Sequence, residues 1–329
     1  MTSAQLGDVT IEYEVDGPDD GEPMLLVMGL GAQLVAWPAD VVTGLADSGF
    51  RVIRMDNRDI GLSTKTEGPA PTRAALFKGF AHRRYARADY LLSDMAADVV
   101  ALLDHLGVGA AHVVGVSMGG MIAQQLTIDH PDRVLSLCSI MSNTGDRRHG
   151  SISPRLLPTV AMSMSAPRPE DPAEAERLAV EGFRLIAGPH FDADEIGGMV
   201  RTAIGRNVNP LGTIRQLVAI QASPDRSAAL REVRVPTLVI HGLRDQLIMP
   251  SGGIATARAV PGSRLIVFPD MAHDLPGPRR GEIVEEIARN AARASAAPSE
   301  LDVPDDGAQA AVDAATAADA AASVSPGSA

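Results

Sequence analysis

The sequence predicts an α/β protein, a mostly parallel sheet flanked by helices and interrupted by a helical insertion before its last strands. Three observations predict it. Short apolar runs alternate with amphipathic helical patterns along most of the 329 residues, as parallel strands do when covering helices join them. That alternation stops between residues 144 and 230, where helix-like runs carry no strand signal. A serine framed by glycines stands at position 117, where an apolar strand runs into a helix.

The elements follow in order. Val9–Val15 alternates apolar and polar residues, the period of a half-buried strand. Met24–Met28, behind Pro23, and Phe50–Met55 are short apolar runs suited to strands buried on both faces. From Ser93 to Leu106 the spacing is helical, with Met95, Val99, Leu102, Leu103 and Leu106 on one side. Ser93 or Asp94 suits its N-cap and Gly107 its stop. His112–Val116 reads as a strand, Met118–His130 as the next helix and Val134–Met141 as a strand again. Helix-like runs then occur around Arg155–Met162, Pro172–Ala187, Asp192–Arg206 and Leu211–Ala222, with Pro167, Pro169, Pro189 and Pro210 between them. Strand character returns at Val235–His241 and Arg264–Phe268, and residues 277–293 close as an amphipathic helix. The expected organisation is a core over 1–143, a helical cap over 144–230, a second core segment over 231–294 and a tail over 295–329. The tail is rich in Ala and Asp, lacks Lys and Arg, and has too few large apolar groups to offset the entropy of ordering.

Composition narrows the function. The net charge of -12 disfavours nucleic acid as a general partner, because phosphate binding needs clustered cations. There is no phosphate loop, dinucleotide fingerprint or metal-ligand spacing, so no cofactor and no metal are expected. Cys138 is the single cysteine, which rules out an intramolecular disulfide and fits a reducing, cytoplasmic location. The N-terminus shows no secretory pattern, and no apolar run approaches the ~20 residues that span a bilayer.

The strongest local signal is Gly115-Val116-Ser117-Met118-Gly119. A serine on a sharp strand-to-helix turn has its hydroxyl presented, and the strained turn needs small neighbours, here Gly115 and Gly119. The helix that follows aims its free N–H groups at the place where negative charge develops. Gly and Ser are also common in plain turns, and it is the strand before and helix after that favour a nucleophile. A serine hydroxyl needs a base to take its proton. Of the eight histidines, His105 and His130 end helices, while His112 and His241 bound strands. His82 and His149 lie in basic segments and His190 in the insertion. His273 alone follows a late strand in a loop, at the sheet edge where catalytic groups of open α/β sheets gather. The acid that orients it is expected at Asp245, after strand Val235–His241, with Asp146, Asp270 and Asp274 as less favoured positions.

These residues resemble the α/β-hydrolase superfamily from about Val9 to Arg293, in the order Ser117, Asp245, His273. Within it, Leu26-Val27-Met28-Gly29-Leu30-Gly31, Arg54-Met55-Asp56-Asn57-Arg58-Asp59-Ile60-Gly61-Leu62-Ser63 and Val114–Gly119 look like actinobacterial ester hydrolases. These include the aclacinomycin methylesterases and the mycobacterial lipase/esterase G group. The latter looks closer, through Met28–Leu34, Asp56–Asp59 and Arg258-Ala259. The resemblance implies an α/β-hydrolase fold with a helical cap and a serine carboxylester hydrolase acting on a small-molecule ester. It also implies an oxyanion hole of the backbone N–H groups of Leu30 and Met118. Met28-Gly29 stands where His-Gly is commoner, and Asp59 where Gly is commoner. Asp56 and Arg58 read as structural. The same three residues would serve a lactonase, thioesterase, perhydrolase or C–C hydrolase. Dehalogenases and epoxide hydrolases need Asp at position 117, and a binding-only role sits poorly with an intact Ser, Asp and His.

Two further features concern ligands. Phe77, Phe80, Tyr85 and Tyr90, interleaved with Arg73, Lys78, Arg83, Arg84 and Arg87, fall in or beside residues 76–90. The segment reads first as a solvated helix with an apolar side, and second as a peripheral contact to anionic lipid. Trp37, Met162, Met164 and Met199 are candidates to line an apolar pocket, methionine being adaptable to irregular ligands.

Overall fold

Residues that are apolar on both faces of a strand can only be satisfied in the middle of a layered fold, and the sheet is built from such runs. In the computed structural model, which describes residues 2–69, 71, 79, 82–165 and 171–295, eight strands pair in the order β1-β2-β4-β3-β5-β6-β7-β8. These are β1 (Thr2–Leu6), β2 (Val9–Asp16), β3 (Glu22–Val27), β4 (Phe50–Met55), β5 (Ala111–Val116), β6 (Val134–Ile140), β7 (Thr237–Gly242) and β8 (Arg264–Phe268). The pairs β1–β2 and β2–β4 are antiparallel, and every other neighbour is parallel. All carboxyl ends of β3 to β8 therefore lie at one edge.

Successive side chains of a strand point to opposite faces, and the core divides accordingly. Leu25, Val27, Ile53 and Val113 pack under helices α2 (Leu92–His105) and α3 (Met118–Asp129). Met24, Leu26, Val114, Val116 and Cys138 pack under α1 (Ala39–Asp47) and the closing helix Gly277–Ser295. Cys138 is core, as its place on a strand suggests, and burial pushes its thiol pKa up.

Three elements carry no clear signal in the sequence. β1 buries only Ala4 fully, and its turn needs Gly7 at φ +62 rather than an apolar run. Helix α1 and a helix over Ser251–Ala259 are short, and the latter has Gly252 and Gly253 in its first turn. The helix expected from Ser93 begins at Leu92. Asp94 lies inside its first turn and accepts the Leu91 N–H at 2.7 Å, which replaces the expected cap at Ser93 or Asp94.

Between β6 and β7 the chain forms α4 (Leu157–Ser165), α5 (Pro172–Ile186), α6 (Ala193–Arg206) and α7 (Pro210–Ala222). Polar side chains tie this stretch to the core. Arg206 at the end of α6 donates to the Asp56 carboxylate at 2.7 Å, with Asp56 fully buried. Asp56 also accepts the amides of Leu34 and Leu62. Asn209 donates to the Asp59 carbonyl at 2.9 Å. Asp59 has φ +74, which accounts for the commoner glycine there, and it accepts the Thr66 amide and the Tyr90 hydroxyl. Arg58 forms a two-nitrogen contact with Asp98 on α2. Removing one partner of a buried ion pair leaves the other charge uncompensated. Asp56→Ala is expected to cost about 3–5 kcal/mol, to be read as a drop in the urea midpoint.

The expected aromatic patch is corrected in part. Tyr90 is a core residue, and Tyr85 is exposed. Arg73, Phe77, Lys78 and Phe80 lie outside the described residues, as do the tail residues 296–329. No helix among the described residues is long and apolar enough to cross a membrane.

Candidate active site

The β5–α3 turn places Ser117 at φ 56 and ψ -118, a backbone conformation few non-glycine residues adopt. The geometry forces the neighbouring glycines. A Cβ at Gly115 would overlap the Gly119 carbonyl oxygen, and one at Gly119 would overlap the Val27 carbonyl oxygen. The turn is thus clamped between the strand it leaves and the end of β3. The Ser117 N–H donates to Ile140 at 2.9 Å across β6, and its carbonyl accepts the Met121 N–H.

Two loops at the same sheet edge meet the serine. The loop after β8 brings His273 Nε2 to 3.0 Å from Ser117 Oγ. The loop after β7 brings Asp245 Oδ2 to 2.7 Å from His273 Nδ1. Asp245 is buried, and its other oxygen accepts the amides of Leu247 and Ile248, each at 2.9 Å. Burial alone would raise this carboxyl's pKa, but the imidazoles of His273 and His241 outweigh it and hold it down at about 2. A carboxylate can only accept, so His273 Nδ1 donates to Asp245, and the ring's other nitrogen, Nε2, faces the serine hydroxyl.

His241, read from sequence only as the end of a strand, is a second imidazole at the acid. Its Nε2 lies 2.8 Å from the Ile248 carbonyl and 3.4 Å from Asp245 Oδ2. Facing a carbonyl, Nε2 must carry the hydrogen. The signal that marks it in the sequence is its spacing, four residues before Asp245. The His273 loop is held from the other side as well. The His273 N–H donates to the Ile186 carbonyl at the end of α5, and Asp274 accepts the Gly188 and Ala272 amides. The other candidate acids are engaged elsewhere: Asp146 with Arg148 and His149, and Asp270 with His190 and Arg279.

The loop after β3 lies on the serine's third side. A Cβ at Gly29 would stand 3.1 Å from Ser117 Cβ, so this loop passes close against the serine. The N–H groups of Leu30 and Met118 take no part in the turn hydrogen bonds there. Ala32 N–H goes back to Gly29, and Met121 N–H to Ser117.

Of the four pocket candidates, three have described side chains, and these lie in different surroundings. Trp37 is core, packed with Met28 and Val41. Met199 is half-buried on α6, and Met162 on α4 is 70% exposed, so it faces solvent. The side chain of Met164 lies outside the described residues.

The alpha/beta hydrolase fold family matches residues 22–276. The chain belongs to the α/β-hydrolase family. This hydrolase is of the esterase kind and resembles the methylesterases named above. Rhodomycin D methylesterase DnrP of Streptomyces peucetius is 29% identical over 290 residues, covering 82% of this chain and 90% of its own length. Solved structures share the fold. The enol-lactonase of Burkholderia xenovorans LB400 superposes with TM-score 0.65 at 21% identity, over 89% of this hydrolase and 99% of that chain. A thermophilic esterase of Thermogutta terrifontis gives 0.63 at 24% identity, over 89% and 97%.

Proposed function

We propose that this hydrolase cleaves an apolar carboxylic ester through Ser117, His273 and Asp245, by way of an acyl-enzyme. The observation that carries the reading is the unbroken run of contacts from Ser117 Oγ through His273 to the buried Asp245, at 3.0 and 2.7 Å.

His273 Nε2 takes the hydroxyl proton as Ser117 Oγ attacks the ester carbonyl carbon. Asp245 stabilises the imidazolium without taking its proton. The carbonyl oxygen becomes an alkoxide, and the Leu30 and Met118 N–H groups receive it. Two such donors in a site shielded from water contribute several kcal/mol, roughly 2–4 each. The tetrahedral centre collapses, the C–O bond to the alcohol breaks, and His273 returns the proton to the departing alkoxide. Water, activated by the same imidazole, then attacks the acyl-serine and releases the acid. The α4–α7 stretch acts as the cap that chooses the ester, in keeping with the ester hydrolysis named for the rhodomycin D methylesterase.

A fluorophosphonate probe tests the reading. Folded protein is expected to carry one covalent label, on Ser117, with labelling lost in His273→Ala. Folded wild-type protein that stays unlabelled sinks the proposal.

A further inference from the structure

The loop that carries Leu30 is held in an unusual way. Loops usually vary and move more than the elements they join, yet here side-chain hydrogen bonds tie Met28, Gly31, Gln33 and Leu34 to other parts of the chain. Asn57 donates to the Met28 carbonyl at 2.9 Å. Gln216 accepts the Gly31 N–H at 2.9 Å. Gln33 donates to the Ala203 and Asn207 carbonyls at the end of α6. Asp56 accepts the Leu34 N–H at 2.7 Å.

Gln216 differs from the others, because it holds the loop's middle from α7. It is fully buried, and both ends of its carboxamide are used. Oε1 takes the Gly31 N–H, and Nε2 donates to the Arg58 carbonyl at 2.9 Å, in the loop after β4. Thr213, one turn earlier on the same helix face, lies under Gly31. A Cβ at Gly31 would come 2.9 Å from its hydroxyl, and the φ of +71 suits glycine there.

The placement decides where the Leu30 N–H points. That N–H belongs to the peptide between Gly29 and Leu30. The peptide before it is fixed by Asn57 at the Met28 carbonyl. The peptide after it is fixed by Gln216 at the Gly31 N–H. The carbonyl of the central peptide turns inward to the Ala32 N–H. A trans peptide sets its N–H opposite its C=O, so the Leu30 N–H is directed away from the interior of the turn, in the loop whose Gly29 lies against Ser117.

We infer that Gln216 is a positioning residue for the oxyanion hole. A buried carboxamide on the helical stretch between β6 and β7 fixes the Leu30 N–H by clamping Gly31 against the loop after β4. The inference rests on the Ser117 mechanism proposed above. It also ties the cap to the rate of the chemical step and not only to the choice of ester.

The test compares Gln216→Leu and Gln216→Glu with wild type on p-nitrophenyl butyrate, with folding checked by thermal melts. Gln216→Leu removes both hydrogen bonds. Its kcat is expected to fall about 10- to 100-fold, less than the full loss of an oxyanion donor, with KM changed less than about threefold because ground-state binding does not use the hole. Gln216→Glu keeps the acceptor for Gly31, but only its protonated form can donate to the Arg58 carbonyl. Its kcat relative to wild type at the same pH is expected to rise as pH falls. A merely structural role would not move this ratio. A Leu variant with kcat within about twofold of wild type, a loss carried by KM alone, or a Glu variant with a pH-independent ratio overturns the inference. Wild-type labelling by the fluorophosphonate separates this failure from failure of the Ser117 reading.

Discussion

Ser117→Ala is expected to lower turnover by on the order of 10⁴-fold or more, with folding intact. The size of the effect follows from what else is left. Without Oγ, His273 Nε2 has no hydroxyl to deprotonate, and hydrolysis would need direct attack by water in a site shaped for a covalent intermediate. The backbone donors and the pocket survive, so a residual rate above the uncatalysed one is expected. Stability should change little, because the strained φ of 56 at Ser117 is one that alanine shares, and among the described residues the hydroxyl meets only His273 Nε2. Single-turnover assays on a p-nitrophenyl ester, beside a thermal melt, measure both. A variant that keeps more than about a tenth of wild-type kcat would assign the chemistry to another residue.

Asp245→Asn is expected to cost about 10⁴-fold in kcat, and the structure says why a nearly isosteric change should do so. Asp245 Oδ1 accepts two amides, those of Leu247 and Ile248. An asparagine must therefore turn its carbonyl oxygen to that side. Its NH2 then faces His273 Nδ1 and His241 Nε2, where the carboxylate oxygen stands in the wild type. His273 Nδ1 can meet an NH2 only as an acceptor, so the ring proton moves to Nε2 and the base faces Ser117 with its lone pair gone. His241 Nε2–H meets a second donor across the same gap. The prediction has an independent readout in acid stability. The Asp245 carboxyl sits at about 2, below its ordinary 3.8. A depressed carboxyl pKa contributes stability that is fully present above the unfolded value and is lost as pH falls through the folded one. Wild type should thus lose on the order of 2 kcal/mol between about pH 4 and pH 2 from this group, and Asp245→Asn should lack that component. Urea titrations across this window check it, and an unchanged pH slope would contradict the buried carboxylate.

Much of this was legible from residue order, and what was not has physical reasons. β3, β5 and β7 are apolar on both faces because helices cover both sides of the sheet, so each announces itself as a short hydrophobic run. β1 is an edge strand with one buried residue, and Ser251–Ala259 is a helix that glycines open, so neither has a pattern to read. Ser117 is marked by the glycines that close contacts demand. Asp245 and His273 are marked by position alone, each in a loop after a late strand. His241 and Gln216 are different. His241 is marked only by standing four residues before Asp245, and nothing local distinguishes a glutamine on an amphipathic helix whose partner, Gly31, lies 185 residues away. Such roles depend on the register between distant segments. Trp37 and Met162 show the converse: a residue type suited to a pocket does not choose between core, pocket and solvent.

The contact between Arg206 and Asp56 bears on how such enzymes can be re-engineered. Exchanging residues 144–230 for the equivalent stretch of a relative is an obvious route to a new substrate range, since that stretch is read as the part that selects the ester. Here the transplant would strip a fully buried carboxylate of its guanidinium, and take Asn209 and Gln216 from the loops they hold. A chimera should therefore carry these three donor side chains across with the graft, or replace Asp56 and its loop together with it.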